Sequence, residues 1–515
     1  MTHFYCKRCI FALQNINIHY QMQHKNTQKY TKKNRIIAEI VKNYFKEVYT
    51  ESFSVFDDLE NKLGTRDFNE KEEQQLKRLV SLFFLGQLVG LPTLNSILEN
   101  YGISNGKHQR NHNKICKKLS LSTFKVIFED LFEQQLGSSL EILSEKHTCC
   151  FSREPVTVIL DDSVFRQWLT GGKTSDIFEG FYGRFFSGQC GRAVFGFKVV
   201  TLGVSISEVF YPLYYELVKK SPAKEKVKKV PKQAKNSKNS KNSNLPSLVE
   251  VSKLVICTKE KKALKTADDL LVFSGEKVDS AISVAIKLVK RFVAWKGKLA
   301  KKGILLPPFY FSCDSGYSHE LLAKICENND SYYISVVKKP HNFQVNGVQI
   351  KAANLIENTF LKKEKQHQDK EKHLAKNEKT AFYLRIKAKY CSQNNKKVVL
   401  LIFRLNHSNK VTIIYTTQLE VKAKTLRRHW FARTYIEQFF KILKHVLKIQ
   451  QTITKTKQAF EIKLLRFFFV ALHVQKLIKT IRKTVKCFEK KGFIALQRIL
   501  NKEEIIIDLL QKYAA

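Results

Sequence analysis

Three acidic residues directly follow two short apolar runs, at positions where strands would end. Asp161 and Asp162 come after the β-branched run VTVIL, and Asp314 ends the run FYFSC in the sequence CDSGY. Carboxylates at strand ends are well placed to converge at one edge of a sheet. Their oxygens are hard ligands of the kind that Mg²⁺ prefers. Two such ions about 3.5 to 4 Å apart activate the attacking oxygen and stabilise the leaving oxygen of an in-line phosphoryl displacement.

A further acid, Glu437, lies in the segment RRHWFARTYIEQFFKILKHVLKIQQ, residues 427–451. On a helix with about 100° per residue, Glu437 shares an arc of about 60° with Trp430, Arg433 and Lys444. The opposite side is apolar and can be buried; it carries Phe431, Ile436, Phe439, Phe440, Ile442, Leu443 and Val446. An ordinary amphipathic helix with an Arg433–Glu437 ion pair at i,i+4 explains the same pattern, so both interpretations remain open at this point.

The same segment resembles a signature of the DDE transposases of bacterial insertion sequences, of the type called insertion sequence family four. The signature reads Tyr-x2-Arg-x3-Glu-x6-Lys. Arg433, Glu437 and Lys444 match it at the right spacing, and Trp430 replaces the tyrosine. This exchange keeps an aromatic ring and removes a hydroxyl group.

The two strand ends also resemble this family. Its first aspartate is followed by any residue and then Thr or Ser, which selects Asp161, with Ser163 as the hydroxyl. Its second aspartate stands in D-x-G-Y, as Asp314 does in DSGY. Asp162 points to the other face of the strand from Asp161, and it is the alternative first ligand if the register differs.

The resemblance implies an α/β fold: a ribonuclease H-like catalytic domain with a mainly β insertion at about residues 340–420, preceded by an all-α N-terminal domain. It implies that Asp161, Asp314 and Glu437 are the catalytic residues and bind two Mg²⁺ ions, with Mn²⁺ as an alternative metal. Arg433 and Lys444 would contact DNA phosphates. Trp430 would stack on a base near the transposon end or, equally, be a buried aromatic residue at the start of the helix.

The implied reaction is hydrolysis at transposon ends, followed by attack of the freed 3′ hydroxyl on target DNA. Because two DNA ends must be held together, we expect a homodimer on DNA. A metal-dependent nuclease of the same fold, which cuts without joining, is one alternative. A catalytically silent DNA-binding protein derived from a transposase is another.

The charge of the chain agrees with a DNA partner. Its 515 residues include 90 Lys and Arg against 46 Asp and Glu, a net charge of +44, and 43% of the residues are hydrophobic. This positive charge runs the whole length of the chain, which favours nucleic acid over a membrane surface. The opening sequence does not resemble a signal peptide, and the apolar stretch 464–478 is too short to span a bilayer. We therefore expect a cytoplasmic, nucleoid-associated protein in which 464–478 is a buried core helix.

The N-terminal region predicts DNA-binding elements. Cys6 and Cys9, followed by His19 and His24, resemble a zinc finger with a shortened middle, so residues 1–33 are either a degenerate finger or a basic leader, with bound Zn²⁺ the less favoured interpretation. Residues 34–150 show helical periodicity and predict a helical DNA-binding domain. Within it, residues 93–119 fit either a helix-turn-helix or an ordinary helical hairpin.

The remaining chain divides at changes in composition. Residues 151–480 form the predicted catalytic domain, with strands at the apolar runs VTVIL, AVFGFKVVTLGVSI, FYFSC, YYISVV, VVLLIF and VTIIYTT and a helix at 280–299. Residues 219–247 are rich in Lys, Ser and Asn and predict a disordered loop, and the charged segment 362–380 predicts a solvated helix or a loop. Residues 481–515 are predicted to form a helical tail.

Overall fold

The computed structural model describes residues 33–46, 121–145, 156–167, 180–188, 190–219, 281–304, 306, 308–370, 382–404, 410–451, 454, 456–485 and 492–500. The predicted zinc ligands, the segment 93–119, the loop 220–247 and the end of the tail after residue 500 lie outside these residues. The described chain divides into two compact units. The helical unit contains the described residues up to Val156, together with Gly203–Leu213 and those from Ala432 onward. The sheet unit contains Thr157–Leu202 and Tyr214–Phe431.

Groups of consecutive strands are interleaved with helices in the middle of the chain. The strands are β1 (Thr157–Arg166), β2 (Tyr182–Ser187), β3 (Arg192–Ile206), β4 (Val209–Leu217), β5 (Tyr310–Cys313), β6 (Tyr332–Val336), β7 (Asn342–Val345), β8 (Val348–Lys351), β9 (Tyr383–Tyr390), β10 (Lys396–Arg404) and β11 (Val411–Thr416). The α-helices are α1 (residues 33–46), α2 (Leu121–Glu145), α3 (Ala281–Lys301), α4 (Glu320–Glu327), α5 (Leu361–Lys370), α6 (Ala423–Phe431), α7 (Thr434–Lys441), α8 (Lys457–Thr484) and α9 (Phe493–Leu500). A short helix, Ala352–Asn354, and a π-helix, Leu355–Phe360, precede α5.

The strands form one mixed sheet in the order β2-β3-β1-β5-β6-β11-β10-β9-β7-β8, and β4 pairs with β3. Strands β1, β5 and β6 are parallel neighbours. Strand β11 pairs antiparallel with β6, so the strands of the predicted β insertion extend the same sheet. The chain is therefore a mixed α/β protein.

The six apolar runs that the sequence predicts as strands are strands β1, β3, β5, β6, β10 and β11, and the predicted helix at 280–299 is α3. Strands β2, β4, β7, β8 and β9 were not predicted from the sequence. The run FYPLYYEL of β4 contains a proline, and YLRIKAKY of β9 alternates apolar residues with cations. Both patterns are weaker than an unbroken β-branched run.

Helix α8 supplies much of the core of the helical unit. The stretch 464–478 is largely buried within it, as predicted. Phe469 packs edge to face against Phe128 of α2 at 6.0 Å between ring centroids. His473 is fully buried, and its two ring nitrogens lie 2.9 Å from the Tyr44 hydroxyl and 3.0 Å from the Gln135 side-chain amide. Residues from both ends of the chain thus share one core.

The boundary predicted at residue 480 falls inside α8, which continues to Thr484. The first part of the charged segment 362–380 belongs to α5, in agreement with a solvated helix there. Among the helices that the structure describes, none is long and apolar enough to cross a membrane.

Candidate active site

Two aspartates lie level with each other at one edge of the sheet. Strands β1 and β5 are parallel, and their register pairs Thr157 with Tyr310 and Leu160 with Cys313. The next residues are Asp161 and Asp314. Asp314 follows the end of β5, but Asp161 lies inside β1, which continues to Arg166, so the prediction that the first strand ends at Asp161 was wrong. The strands before them are buried, whereas both aspartates are partly exposed. The register thus brings the carboxyl-bearing positions of two adjacent strands together where solvent and a ligand can reach them.

Asp162 is held by two partners of its own. The Tyr317 hydroxyl donates a 2.7 Å hydrogen bond to Asp162 Oδ2, and the Lys198 ammonium group lies 3.2 Å from the same oxygen. Lys198 belongs to β3, next to β1 in the sheet. Asp162 is therefore engaged in binding the β3 strand and the turn after β5. Asp161 Oδ1 in turn accepts a 2.9 Å hydrogen bond from the Asp162 backbone amide.

The turn after β5 is fixed in position around Asp314. Its Oδ1 accepts a 2.7 Å hydrogen bond from the Ser315 backbone amide and caps a short 3-10 helix, Ser315–Tyr317. The Ser335 hydroxyl of β6 donates to the Asp314 carbonyl oxygen at 3.1 Å. The backbone of Asp314 is thus anchored to both neighbouring elements, which restricts where its carboxylate can point.

Tyr317 acts as a hydrogen-bond donor in this arrangement. Burial raises its pKa well above the ordinary value, and the charges of Asp162 and Asp161 raise it further. A tyrosine whose neutral form is stabilised in this way keeps its proton and continues to donate to Asp162 at neutral pH. The Tyr317 carbonyl in turn accepts a hydrogen bond from the buried Tyr333 hydroxyl. Tyr317 thus links the β1 acid to the core beneath the turn.

Helix α6 is attached to the same two strands through His429. The imidazole ring stacks on Tyr310 of β5, with 3.9 Å between ring centroids and an interplanar angle of 18°. Its Nδ1 lies 2.8 Å from the Thr157 hydroxyl of β1. Thr157 and Tyr310 are register partners, four residues before Asp161 and Asp314 respectively. His429 therefore contacts both aspartate-bearing strands at one level.

Burial of His429 makes stability depend on pH. Desolvation, together with the charge of the nearby Arg428, lowers its pKa from 6.5 to about 3. The unfolded chain then binds a proton that the folded chain excludes between pH 6.5 and about pH 3, so stability falls as the pH drops through this window. Between pH 7.5 and pH 5, the free energy of unfolding of wild type should fall by about 2 kcal/mol more than that of the His429→Asn variant.

Urea unfolding at both pH values measures this difference. The His429→Asn variant retains a side-chain amide near the Thr157 hydroxyl, so any uniform loss from weaker packing cancels when each protein is compared with itself at the two pH values. An equal pH dependence in the two proteins would contradict a neutral, buried His429.

Trp430 lies in the core of the sheet unit. It is only 7% exposed, and it clusters with Ile334, Leu401, Phe403, Ile414, Val421 and Leu426. Its ring meets Phe403 edge to face at 5.4 Å between centroids. This burial supports the interpretation of Trp430 as a buried aromatic residue. Base stacking would require the indole to leave the core.

The segment 427–451 does not form the single continuous helix assumed from its sequence. Helix α6 ends at Phe431, a turn follows at Ala432 and Arg433, and α7 begins at Thr434. A π-helix, Ile442–Val446, follows directly, and the Leu447 amide bonds to the Ile442 carbonyl at 2.8 Å. Helices α6 and α7 are buried in different cores. Trp430 of α6 is buried in the sheet unit, and Ile436, Phe439 and Phe440 of α7 are buried in the helical unit. The arc calculated for a regular helix therefore does not hold, because Trp430, Arg433 and Lys444 all lie outside α7.

Glu437 lies on α7, in the helical unit. Its Oε1 is 2.9 Å from the Arg433 guanidinium group, one helical turn earlier, and the two side chains are 40% and 17% exposed. This is the i,i+4 pair that the sequence allowed as the ordinary explanation of the pattern. Lys444 is partly buried within the π-helix. Irregular helical turns of this kind occur often at functional sites.

The donor set of the sheet edge fits a hard divalent cation. Asp161 and Asp314 offer carboxylate oxygens from adjacent strands, which is the chemistry that Mg²⁺ or Mn²⁺ requires. Within the part of the chain that the structure describes, no three His, Cys, Asp or Glu side chains form a group that could hold a metal ion. The edge thus presents two ligands of the predicted three, and the third predicted ligand, Glu437, belongs to the helical unit.

A comparison with known protein families bears directly on these residues. Residues 292–472 match the transposase DDE domain family. The matched region contains β5 with Asp314, the strands β6 to β11 and the helices with Glu437, and it does not include β1 with Asp161. No curated protein matches the chain. The match supports a transposase-type function, which acts on DNA, and DDE transposases generally use divalent metal ions.

Two residues that contact the aspartate-bearing strands were not singled out from the sequence. Lys198 is one cation in the apolar run AVFGFKVVTLGVSI, and a single charge in a buried strand is a signal that an acid lies nearby. His429 directly precedes Trp430, the aromatic residue of the signature. Its position matched no motif in the sequence. Its role depends on the pairing of β1 with β5, which the sequence does not specify.

Proposed function

We propose that this protein is a DNA transposase that cuts DNA at transposon ends and joins the freed ends to target DNA. The observation that carries the proposal is the β1–β5 register, which places Asp161 level with Asp314. The family match over residues 292–472 is separate support for the proposal. Asp161 lies outside the matched residues, so the match and the strand register are different observations.

We further propose that the catalytic domain is ribonuclease H-like. The strand order β4-β3-β1-β5-β6, with β1, β5 and β6 parallel, supports this fold. The strands β7 to β11 then form the insertion between Asp314 and the helix that carries Glu437. A helical DNA-binding region at residues 34–150 and a homodimer on DNA complete the proposal.

In this mechanism Asp161, Asp314 and Glu437 are the metal ligands. The bound divalent ions supply activation of the attacking hydroxyl and neutralisation of the charge on the leaving oxygen. Arg433 orients the Glu437 carboxylate through their ion pair and, with Lys444, contacts DNA phosphates. The net charge of +44 attracts the polyanionic substrate to the protein.

Surrounding residues hold the aspartates in place. Tyr317 and Lys198 bind Asp162 and so fix the segment of β1 that carries Asp161. His429 joins β1 to β5 four residues earlier. In our proposal Trp430 contributes to packing, because its ring is buried against Phe403.

Strand transfer of labelled terminal-repeat DNA with Mg²⁺ or Mn²⁺ tests the proposal, with Glu437→Gln compared with wild type. We expect metal-dependent joining in wild type and a loss of about 1000-fold in the variant, since a lost ligand removes several kcal/mol of transition-state stabilisation. Glu357→Gln, a change of the same kind at an exposed site, should retain the wild-type rate.

The alternatives give different products. Metal-dependent cutting without a joined product would identify a nuclease of the same fold. DNA binding without metal-dependent cutting in wild type would identify a catalytically silent protein. Equal rates in Glu437→Gln and wild type would remove Glu437 from the mechanism.

A further inference from the structure

The inserted strands β7 to β10 are unusually rich in positive charge. They contain seven Lys or Arg residues and no Asp or Glu: Lys351, Arg385, Lys387, Lys389, Lys396, Lys397 and Arg404. Some of these cations are bound by acids elsewhere in the unit. Arg404 pairs with Glu364, Lys396 with Glu327 and Lys387 with Glu420. The others leave positive charge on the surface of this part of the sheet.

Two of these lysines lie directly opposite each other. The antiparallel register pairs Lys389 of β9 with Lys397 of β10, and both side chains are exposed. On the other side of β9, Lys389 is paired with Gln344 of β7. Register partners project from the same face of a sheet, so these three side chains form a row across three strands. Like charges directly opposite each other are destabilising, and an anion bound between them would relieve the repulsion.

This row borders a cleft with a cavity volume of about 280 Å³. The cleft is also lined by Lys387, two residues before Lys389 on the same face, and by Asn346. Asn346 and Gly347 have φ values of 49° and 84°, which form the tight turn between β7 and β8 beside the lysines. Glu420 is the acid paired with Lys387, at 2.9 Å, but both side chains are more than half exposed and solvent screens the pair.

We propose that this lysine cleft binds the phosphodiester backbone of duplex DNA, as a site separate from the aspartate edge. Three ammonium groups and two side-chain amides offer donors for phosphate oxygens, and Lys binds phosphate as a point charge. Strand β9 is four strands from β5 in the sheet, which places the cleft about 19 Å from the aspartate-bearing strand at about 4.8 Å per strand. The identity of the ligand as DNA rests on the proposed function.

The test is the salt dependence of duplex DNA binding by the full chain, in EDTA so that no cleavage chemistry is involved. We expect the double variant Lys389→Gln/Lys397→Gln to lose two phosphate contacts, so the slope of log K against log salt becomes shallower by about 1.8. Affinity at about 0.1 M salt should fall at least tenfold. Lys362→Gln/Lys363→Gln on the exposed face of α5 removes the same charge and should leave the slope unchanged.

Three outcomes would overturn the proposal. An unchanged slope in the cleft variant would show that no phosphate binds there. An equal change in both double variants would reflect net charge alone. Weaker binding of poly-glutamate with unaltered DNA binding would identify the cleft as a site for an acidic protein segment.

The Tm of the cleft variant should equal or exceed that of wild type, because the substitution removes a repulsive pair. Since binding is measured without metal, the result does not depend on whether the chain joins DNA.

Discussion

Asp161→Asn is expected to reduce metal-dependent strand transfer by about 1000-fold, which corresponds to about 4 kcal/mol in the activation barrier. Asp314→Asn should have an effect of the same size. Both changes keep the shape of the side chain and remove the charge that would hold a divalent ion. The rate of product formation from pre-cut terminal-repeat DNA at saturating Mn²⁺ measures the effect.

Asp162→Asn provides the matched control, because it is the same substitution one residue away. It removes the charge that pairs with Lys198 but leaves an amide oxygen for the Tyr317 hydroxyl. We expect a loss of about 10- to 100-fold, the size typical of residues that orient a metal ligand. Calorimetric titration with Mn²⁺ should show weak binding in Asp161→Asn and near-normal binding in Asp162→Asn. The reverse order would make Asp162 the ligand and Asp161 the supporting residue.

The distinction between these two acids shows what the sequence can and cannot specify. The run VTVIL predicts a buried strand, and the two acids that follow it must face opposite sides. Which of them meets Asp314 depends on how β1 pairs with β5. The family pattern selects Asp161, and this choice stays a prediction; in the structure Asp162 contacts Tyr317 and Lys198.

The helix of the signature is where the sequence was least informative. Its apolar residues predict one amphipathic helix. In the structure they are buried or partly buried, but Phe431 belongs to the sheet unit and the others belong to the helical unit. Periodicity records which residues are apolar and not which core receives them. The break at Ala432 and Arg433 therefore has no counterpart in the pattern. The same limit applies to Trp430, whose contact with Phe403 joins residues far apart in sequence.

Long-range contacts also explain the composition of the helical unit. Helix α8 was predicted to be a core helix from its apolar residues alone, and its burial confirms that prediction. Its partners could not be predicted in the same way, because His473 bonds to Tyr44 and Gln135 across more than 300 residues of sequence. A domain boundary predicted from changes in composition cannot show that distant segments share a core.

Gly196→Ala is expected to lower the free energy of unfolding by about 3 kcal/mol, because the substitution overpacks the site where β3 meets β1. A Cβ atom on residue 196 would lie 2.1 Å from the Phe165 carbonyl oxygen and 2.8 Å from its carbonyl carbon. Both are backbone atoms, so no side-chain rotation can relieve the contact. Strand β3 must move away from the strand that carries Asp161, and Lys198 would move with it.

Gly297→Ala is the matched control in the same unit. Gly297 is exposed on α3, and nothing lies within 4 Å of an added Cβ. Replacing glycine by alanine within a helix should raise the free energy of unfolding by about 0.5 to 1 kcal/mol. Urea unfolding of the two variants should therefore shift the midpoint in opposite directions. If Gly196→Ala unfolded at the wild-type midpoint, β3 would not approach β1 as closely as the structure places it, and the ion pair of Lys198 with Asp162 would lose its structural basis.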